Sequence, residues 1–347
     1  MSPARPRPVL AAVPLYAPDP SPVEIDLSDN VNLWGVPPAA ARVLRDPLAA
    51  QPSVYPRSDP VELREALARY AGVSAAQVVT GCGSDDVIDG ALRAFAAPGE
   101  KVAYSAPSFS MLVSFARVNG LEPAPVPFAK NGDVDPDAVL AQRAAITYVC
   151  SPNNPTGSGV SAAALERVVT RAEGLVLVDE AYGEFSGQTA VSLLARAPQL
   201  LVTRTLSKAF GLAGLRVGYG LAAPEVVQVL EKVRGPYKVN VLGEKAALAA
   251  LREDVSWVRR HVEESVAIRE RLRDALEALG LRALPSSANF LCLPVPDSAA
   301  LGRALLGRGI KVRVLRGLPG IGDAVRVGVG PWGVMERLLA ALREVLR

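Results

Sequence analysis

One lysine of the sequence lies among residues that favour close backbone approach over a solvated surface. Lys208 occurs in TRTLSKAFGLAGLRVGY (residues 203–219), where its neighbours are a serine, an aromatic ring, small residues and glycines. A lysine that forms a Schiff base must be partly desolvated, so that its amine can be neutral. This setting makes Lys208 a candidate for covalent chemistry with a carbonyl compound.

A carboxylate at the end of an apolar strand is the second candidate. Asp179 closes the almost wholly apolar run GLVLVDE (residues 174–180). A carboxylate in such a place needs a partner, or it will become neutral. A strand-end cap or a structural salt bridge would satisfy it. The functional alternative is that Asp179 is the counter-ion of a buried cation.

Polar residues follow four predicted strands at the point where each strand ends. The predicted strands are QVVT (77–80), AITYVC (145–150), GLVLVDE (174–180) and QLLVTRT (199–205). GCGSDD follows the first and SPNNPTG the second, while DEAYGEF completes the third and LSKAFG follows the last. Ligands of open α/β sheets bind at the carboxyl ends of the strands, so we expect these groups to meet in one crevice.

Strands and helices alternate through the middle of the chain, which predicts a large doubly wound, mostly parallel α/β sheet. Helical patterns such as SDDVIDGALRAFA and SAAALERVVTRA separate most of the β-rich runs, which include KVAYSA (101–106). The run LVLV is apolar on both faces, as a buried parallel strand requires. Near the C-terminus, ANFLCLPV, GIKVRVL and AVRVGVG, with a helix near 298–308 and a final helix, predict a smaller α+β domain.

The chain is long enough for two lobes, since it has 347 residues and 50% hydrophobic composition. We predict an irregular, proline-rich arm, a large α/β cofactor-binding domain, a long inter-domain helix, and a small α+β domain that part of the N-terminal region joins. Their boundaries, in that order, are 1–30, 31–242, 243–280 and 281–347. Within the large domain, DPVELREALARY predicts a helix with Asp59 as cap, Pro60 in its first position and Glu62 completing a capping box.

The composition argues against several classes of function. The 38 basic and 35 acidic residues are interspersed and give a net charge of +3, so we expect no nucleic-acid partner. The three cysteines are in no metal-ligand spacing and His261 is the one histidine, so we expect no metal site, no histidine triad and a reducing compartment. Cys82 and Cys150, beside two of the motifs, are expected to be small buried hydrophobes. The apolar run in MSPARPRPVLAAVPLY is proline-interrupted and too short for a signal peptide or a membrane span, which predicts a soluble, cytoplasmic protein.

The polar groups at the crevice meet the needs of pyridoxal 5'-phosphate. This cofactor requires a reactive lysine, an acid for its ring nitrogen, donors for its ring oxygen, a flat face for stacking and a cationic, amide-rich cup for its phosphate. Lys208 and Asp179 meet the first two needs. For the others the candidates are Asn154 and Tyr182 as donors, Phe109 for stacking, and GCGSDD (81–86), Ser207 and Arg216 for the cup. The alternative for Ser84 or Asp85 is that it only caps a helix.

Three motifs closely resemble those of fold-type I pyridoxal-phosphate aminotransferases. They are SPNNPTG (151–157), VDEAYGEF (178–185) and TLSKAFGLAGLRVGY (205–219). Within that superfamily the chain is most similar to the histidinol-phosphate aminotransferase group, on stretches that include DLSDNVNLWG, GCGSDDVIDGALRAFAAPGE, PYKVNVLGEKAALAAL and SSANFLCLPV. The resemblance runs in order from about residue 15 to the end.

The resemblance implies a role for each matching residue. Lys208 would carry the cofactor as a Schiff base and move the substrate proton, with Asp179 and Tyr182 as its catalytic partners. The implied cofactor contacts are Ser84, Asp85, Phe109, Asn154, Asp179, Tyr182, Ser207 and Arg216, with Tyr55 contributed by the second subunit of a homodimer that shares its active sites. The implied substrate contacts are Arg326 for a carboxylate, Tyr16 and Arg313 near a distal phosphate, and Asn32 and Asn154.

The resemblance also implies a reaction, in which histidinol phosphate and 2-oxoglutarate give imidazole-acetol phosphate and glutamate, a step of histidine biosynthesis. The chain departs from the family where Val31 replaces a carboxylate and Leu33 replaces a proline. That segment lines the substrate side in the family, so substrate choice is the open point. An aromatic aminotransferase and a threonine-phosphate decarboxylase remain alternatives within the superfamily. A pyridoxal-dependent regulator and a non-catalytic scaffold are the alternatives outside it.

Overall fold

The computed structural model describes residues 4–17 and 20–346, which form a mixed α/β protein. In chain order the strands are β1 (Ile25–Asp26), β2 (Val78–Cys82), β3 (Lys101–Ala106), β4 (Glu122–Pro127), β5 (Ile146–Cys150), β6 (Leu175–Asp179), β7 (Leu200–Thr205), β8 (Val217–Ala222), β9 (Phe290–Pro294), β10 (Ile310–Lys311), β11 (Arg313–Leu318) and β12 (Gly322–Gly328). The helices are α1 (Pro38–Arg45), α2 (Val61–Ala71), α3 (Ser84–Phe95), α4 (Ser110–Val118), α5 (Pro136–Leu140), α6 (Ala162–Arg171), α7 (Gly183–Ser186), α8 (Pro224–Val233), α9 (Val241–Glu253), α10 (Val255–Glu277), α11 (Ser298–Leu306) and α12 (Trp332–Val345). Short 3-10 turns span Pro8–Ala12, Pro47–Ala50, Ala75–Gln77, Val191–Leu193 and Ala213–Leu215.

The seven-stranded sheet has the order β2-β8-β7-β6-β5-β3-β4, and β8 alone runs antiparallel to its neighbours. Side chains alternate between its faces, as the period of a strand requires. Val176 and Val178 of β6 pack in the cluster that includes α2, α6 and α9, whereas Leu175 and Leu177 pack in the cluster that includes α3, α4 and α8. Helices on both faces and parallel central strands confirm the predicted doubly wound, mostly parallel sheet.

Two strands of this sheet, β4 and β8, were not predicted. The sequence of β4, EPAPVP, contains three prolines, which a central strand does not tolerate and an edge strand does. In β8, VGYGLA, a methyl group at Gly218 would collide with the backbone of Gly83 and Ser84. Both strands therefore break the compositional rules for strands, because one lies at an edge and the other packs against a turn.

A second group of strands lies in the C-terminal part of the chain. β11, β12 and β9 form an antiparallel sheet, and β1 pairs in parallel with β10 through Ile25 and Ile310. A third apolar cluster joins these strands to α10, α11 and α12. The predicted arm of residues 1–30 is thus not wholly irregular, since it contains β1 and the turn at Pro8–Ala12.

The predicted single helix over 243–280 is wrong, because the chain forms α9 and α10 with a break at Asp254. The backbone of Asp254 has φ −112° and ψ 10°, outside the helical range. Its buried carboxylate accepts the N–H of Ala39 at 2.7 Å, which ties the break to α1. Among residues 4–17 and 20–346, α10 and the other helices do not combine the length and the apolar character needed to cross a membrane.

The predicted capping box at α2 is also wrong. The helix begins at Val61, with Pro60 as N-cap and no side-chain cap. The carboxylate of Asp59 accepts from Arg64 at 2.9 Å, and Glu62 pairs with Arg252 of α9 at 2.9 Å. Both acids therefore pair with arginines, Asp59 with one in α2 itself and Glu62 with one in α9 that the local sequence does not reveal.

Candidate active site

A cavity of about 550 Å³ lies where β5, β6 and β7 end. The carboxyl ends of these strands deliver Cys150, Asp179 and Thr205 to its wall. The predicted site residues that also line it are Tyr16, Ser84, Asp85, Phe109, Asn154, Tyr182, Ser207, Lys208, Arg216, Arg313 and Arg326. A neighbouring cavity of about 980 Å³, beyond the loop Asn154–Thr156, contains none of these residues.

Lys208 follows β7 on a turn and is half-buried. Its Nζ donates to the backbone oxygen of Asp29 at 2.8 Å and lies 5.7 Å from the centroid of the Tyr182 ring. Burial, aided by the positive charge of Arg326, lowers the pKa of Lys208 from 10.5 to about 8. The amine is therefore neutral in a substantial fraction of molecules near neutral pH, as nucleophilic attack on a carbonyl requires.

This lowered pKa predicts that, in the cofactor-free protein, Lys208 is acylated at a lower pH than other lysines are. We expect its rate of reaction with a neutral acylating reagent to rise with a midpoint near pH 8, whereas an ordinary lysine follows a pKa of about 10.4. Peptide mass spectrometry across a pH series measures the rate at each lysine separately. Lys101, an exposed residue at the N-terminal end of β3, serves as the internal reference. Equal profiles for Lys208 and Lys101 would contradict the desolvation of Lys208.

Asp179 ends β6 and is 4% exposed. Its Oδ2 accepts from the Tyr148 hydroxyl at 2.7 Å, while its Oδ1 accepts from the Ala181 N–H at 3.1 Å and the Thr203 hydroxyl at 3.2 Å. Burial raises the pKa of Asp179 from 3.8 to about 6, and the hydrogen bond from Tyr148 is the largest of the effects that oppose this rise. The carboxyl is thus buried but remains able to ionise at neutral pH.

The loop between β2 and α3 forms a narrow cup. Gly83 caps α3 with φ +81°, and a methyl group added there would collide with the guanidinium of Arg216. The helix therefore begins at Ser84 and Asp85 with its N-terminus beside a cation, an arrangement that suits an anion such as phosphate. The Asp85 carboxylate also lies in this region, where it forms an ion pair with Arg216 Nη2 at 3.4 Å. Ser207 accepts from Thr205 at 2.9 Å on the adjoining turn.

Cys82, which precedes this cup, is exposed, so the prediction that it is buried is wrong. The turn that aligns the N–H groups of α3 leaves its side chain outside the core, and its N–H donates to Asp86 at 3.1 Å. Cys150 is buried, as predicted.

Arg326 lies at the boundary between the two groups of strands and is 7% exposed. Its two terminal nitrogens donate to Asn154 Oδ1 and to the Ser28 backbone oxygen, each at 2.5 Å. Its Nε is buried and has no hydrogen-bond partner within the described part of the chain. Nearby, Tyr182 accepts from Asn30 at 3.0 Å, and burial raises the pKa of Tyr182 to about 12. The wall of the cavity therefore includes a fixed cation and a protonated phenol.

Asp29 is the main cavity residue that sequence reasoning missed. Its carboxylate forms an ion pair with Arg313, and its backbone oxygen is the acceptor for Lys208. The signal in the sequence was an acid two positions before Val31, which also lines the cavity. Tyr16 also lines the cavity and is 59% exposed.

The structure does not bring Asn32 or Tyr55 into the cavity. The amide of Asn32 donates to Ala209 and accepts from Trp34, both at 2.9 Å, so its polar atoms serve the local backbone. Tyr55 is 79% exposed, and its ring stacks on Tyr237 with the centroids 4.8 Å apart. The substrate contact predicted for Asn32 stays a prediction, since one hydrogen bond at each end of the amide leaves a second N–H and a second lone pair.

Comparison with known proteins connects this geometry to a family. The model of the aminotransferase class I and II family matches residues 22–342. A histidinol-phosphate aminotransferase of Thermoanaerobacter pseudethanolicus is 36% identical over 303 residues, 86% of each chain, and that of Roseiflexus castenholzii is 38% identical over 339 residues, 93% of this chain and 91% of the other. The crystal structure of histidinol-phosphate aminotransferase from Sinorhizobium meliloti in complex with pyridoxal-5'-phosphate is 28% identical, with a TM-score of 0.88 and coverage of 100% and 98%.

Proposed function

Because this chain belongs to the class I and II aminotransferase family, we propose that it uses pyridoxal 5'-phosphate to transfer an amino group from histidinol phosphate to 2-oxoglutarate. The observation that carries the proposal is a half-buried amine, Lys208, and a buried acid, Asp179, on the wall of one cavity. Relatives that are 36% and 38% identical over most of their length are named for this reaction, a step of histidine biosynthesis.

The residues of the cavity fit this cofactor. Asp179 is buried, hydrogen-bonded and able to ionise, as the acid beside a pyridine nitrogen must be. Because Gly83 has no side chain, the Arg216 guanidinium can approach the backbone at the N-terminus of α3, and a cation beside free N–H groups suits a phosphate. The residues that would hold the group are Ser84, Asp85, Phe109, Asn154, Asp179, Tyr182, Ser207, Lys208 and Arg216.

When bound, pyridoxal phosphate supplies a carbonyl that takes up the substrate amine and a ring that accepts the electrons of the substrate's Cα–H bond. Lys208 Nζ would take up the proton of that carbon and give it back, a role that its pKa of about 8 suits. Tyr182 and Asn154 would hold the ring oxygen, and Asp179 would keep the ring nitrogen charged. Arg326 would bind a substrate carboxylate or phosphate, because a planar guanidinium carries several N–H donors and can pair with two oxygens.

Arg313 is expected to bind the distal phosphate of the substrate. Replacing Arg313 with alanine should lower kcat/KM for histidinol phosphate about 10- to 100-fold, mainly through KM, because a charged hydrogen bond contributes about 1.5–3 kcal/mol. The kcat/KM for glutamate should change less, since Arg326 remains to bind its carboxylate. Steady-state kinetics with both substrates make the comparison, and Arg316→Ala, at an exposed position of the same strand that does not line the cavity, is the matched control. Unchanged kinetics of Arg313→Ala on the phosphorylated substrate would refute this role.

A substrate panel tests the function itself. The purified protein, loaded with pyridoxal phosphate, is assayed with histidinol phosphate, phenylalanine and threonine phosphate by the change in cofactor absorbance. We expect the highest kcat/KM for histidinol phosphate. Val31 gives the cavity an apolar wall, which favours an aromatic aminotransferase as the second candidate. Preference for phenylalanine would establish that alternative, and release of carbon dioxide from threonine phosphate would indicate a decarboxylase.

We also propose a homodimer that shares its active sites, in a reducing, cytoplasmic setting. Four large apolar side chains are exposed, and two of them, Tyr55 and Tyr237, stack on each other; the four are Leu48, Val54, Tyr55 and Tyr237. A second copy of the chain would cover these side chains and bring Tyr55 towards the other cavity.

The division into domains at residues 30, 242 and 280 stays a prediction, although the 243–280 segment is two helices.

Mixing two impaired variants tests the shared site. Tyr55→Ala and Lys208→Ala should each be impaired, because each removes one contributor to the same site. After co-refolding, mixed dimers should recover activity, since one of their two sites has both native residues. Activity is measured against mixing ratio, and mass photometry gives the oligomeric state. A monomer, or no recovery on mixing, would contradict the shared site.

A further inference from the structure

We propose that Tyr148 is a positioning residue that holds the Asp179 carboxylate, from the side remote from the cavity, in the orientation and charge state that the ring nitrogen needs. The inference rests on the proposed function, and it assigns a role to a residue that does not line the cavity. Tyr148 is 1% exposed, so it contacts neither substrate nor cofactor.

The geometry of the two strands carries this inference. On β5 and β6, Cys150 is the register partner of Asp179, and Tyr148 is the partner of Leu177. Tyr148, Cys150 and Leu177 pack in the same apolar cluster, on one face of the sheet. From this position the Tyr148 hydroxyl donates to Asp179 Oδ2 at 2.7 Å, the shortest of the hydrogen bonds that Asp179 accepts from described residues.

The hydrogen bonds leave one acceptor position of Asp179 for a ligand. A carboxylate offers about four lone-pair sites. Ala181 and Thr203 use Oδ1, and Tyr148 uses one site of Oδ2. With both oxygens held, the carboxyl cannot rotate without breaking a buried hydrogen bond, which is costly. The remaining site of Oδ2 is therefore fixed in direction, and the negative charge is stabilised by the phenol.

Other titratable groups near Asp179 do not replace this donor. Asp85, from α3, raises the pKa of Asp179 through its charge. Burial raises the pKa of the Cys150 thiol and of the Tyr182 phenol, so both stay protonated, and neither donates to Asp179. Lys208 and Arg216 lie on the same cavity wall but form no hydrogen bond with Asp179. Of the residues near Asp179, Tyr148 is thus the donor whose removal should change the pKa of Asp179 most.

Tyr148→Phe removes one oxygen and tests the role. Tyr104→Phe is the matched control, because Tyr104 is the register partner of Tyr148 on β3 and packs in the same cluster. In the cofactor-free protein, the Asp179 carboxyl band is followed by infrared spectroscopy across a pH series. This band is identified by its loss in Asp179→Asn, and its titration should have a midpoint near pH 6. We expect this midpoint to rise by about 1–2 pH units in Tyr148→Phe, the equivalent of losing a charged hydrogen bond, and to stay in place in Tyr104→Phe. In the loaded enzyme, kcat should fall about tenfold or more, with KM nearly unchanged.

A second measurement leaves Tyr148 intact, in case the variant does not fold. In wild-type protein with isotope-labelled tyrosine, one C–O band should change at the pH where Asp179 titrates, and this change should be absent from Asp179→Asn. An unchanged Asp179 midpoint in Tyr148→Phe, or no tyrosine band coupled to Asp179, would overturn the inference. Failure of the proposed function looks different, because the loaded protein would then have no adduct on Lys208 while the infrared titration would keep its result.

Discussion

Lys208→Ala is expected to lower kcat for transamination by about 10³-fold or more. The substitution removes both the amine that holds the cofactor and the base that moves the substrate proton, and general acid–base catalysis alone contributes about 10²–10⁴-fold. Single-turnover absorbance with saturating pyridoxal phosphate separates this loss from weaker cofactor binding. The control is Lys101→Ala, which removes an exposed lysine at the far end of β3 and should retain wild-type kinetics.

Added methylamine offers a further check on Lys208→Ala. A small amine can enter the space that the side chain leaves and take over the proton transfer, so partial rescue that rises with amine concentration is expected. A variant that retained more than a tenth of wild-type kcat would show that Lys208 is not the proton carrier.

Asp179→Asn is expected to lower kcat about 10²- to 10³-fold with little change in KM. The amide keeps the shape of the side chain but removes the charge beside the ring nitrogen, and losing one such electrostatic group costs about this much in other enzymes. Stopped-flow absorbance measures the chemical step directly. Asp254→Asn is the matched control, because Asp254 is also a buried acid, 6% exposed, but lies at the break between α9 and α10. It should lose stability and keep activity.

The pH dependence of stability gives a second readout for Asp179→Asn. The pKa of Asp179 is raised from 3.8 to about 6 on folding, so the folded state binds this proton more tightly than the unfolded state does. The contribution of Asp179 to the free energy of unfolding is therefore complete below about pH 4 and is lost as the pH rises towards 6. Urea denaturation at several pH values should show this decline in wild type and a flatter profile in Asp179→Asn. Identical profiles, or unchanged kcat, would contradict the assigned role.

The sequence was most informative where several strands end together. Asn154, Asp179 and Lys208 come from the ends of three different strands, β5, β6 and β7, and all of them line one cavity. This could be predicted because parallel strands of an open sheet end at one edge, so polar residues after each strand must converge. The parallel order of the sheet, which carries this convergence, is itself a consequence of alternating strands and helices.

The sequence was least informative where long-range contacts decide the structure. Asp254 interrupts a continuous helical pattern because its carboxylate meets the N–H of Ala39, 215 positions away in the chain. The amide of Asn32 donates to Ala209, a contact that the local sequence does not reveal. Asp29 and Tyr148 were missed for the same reason, since their importance depends on the side chains that they meet, Arg313 and Asp179.

Borohydride reduction followed by peptide mapping tests the central claim most directly. The protein is loaded with pyridoxal phosphate, reduced and digested, and the modified peptide is identified by mass spectrometry. A single pyridoxyl group on Lys208, lost in Lys208→Ala and formed less readily in Asp179→Asn, is the predicted result. Modification spread over exposed lysines such as Lys101, with Lys208 unmodified, would show that this amine and this acid do not serve one cofactor.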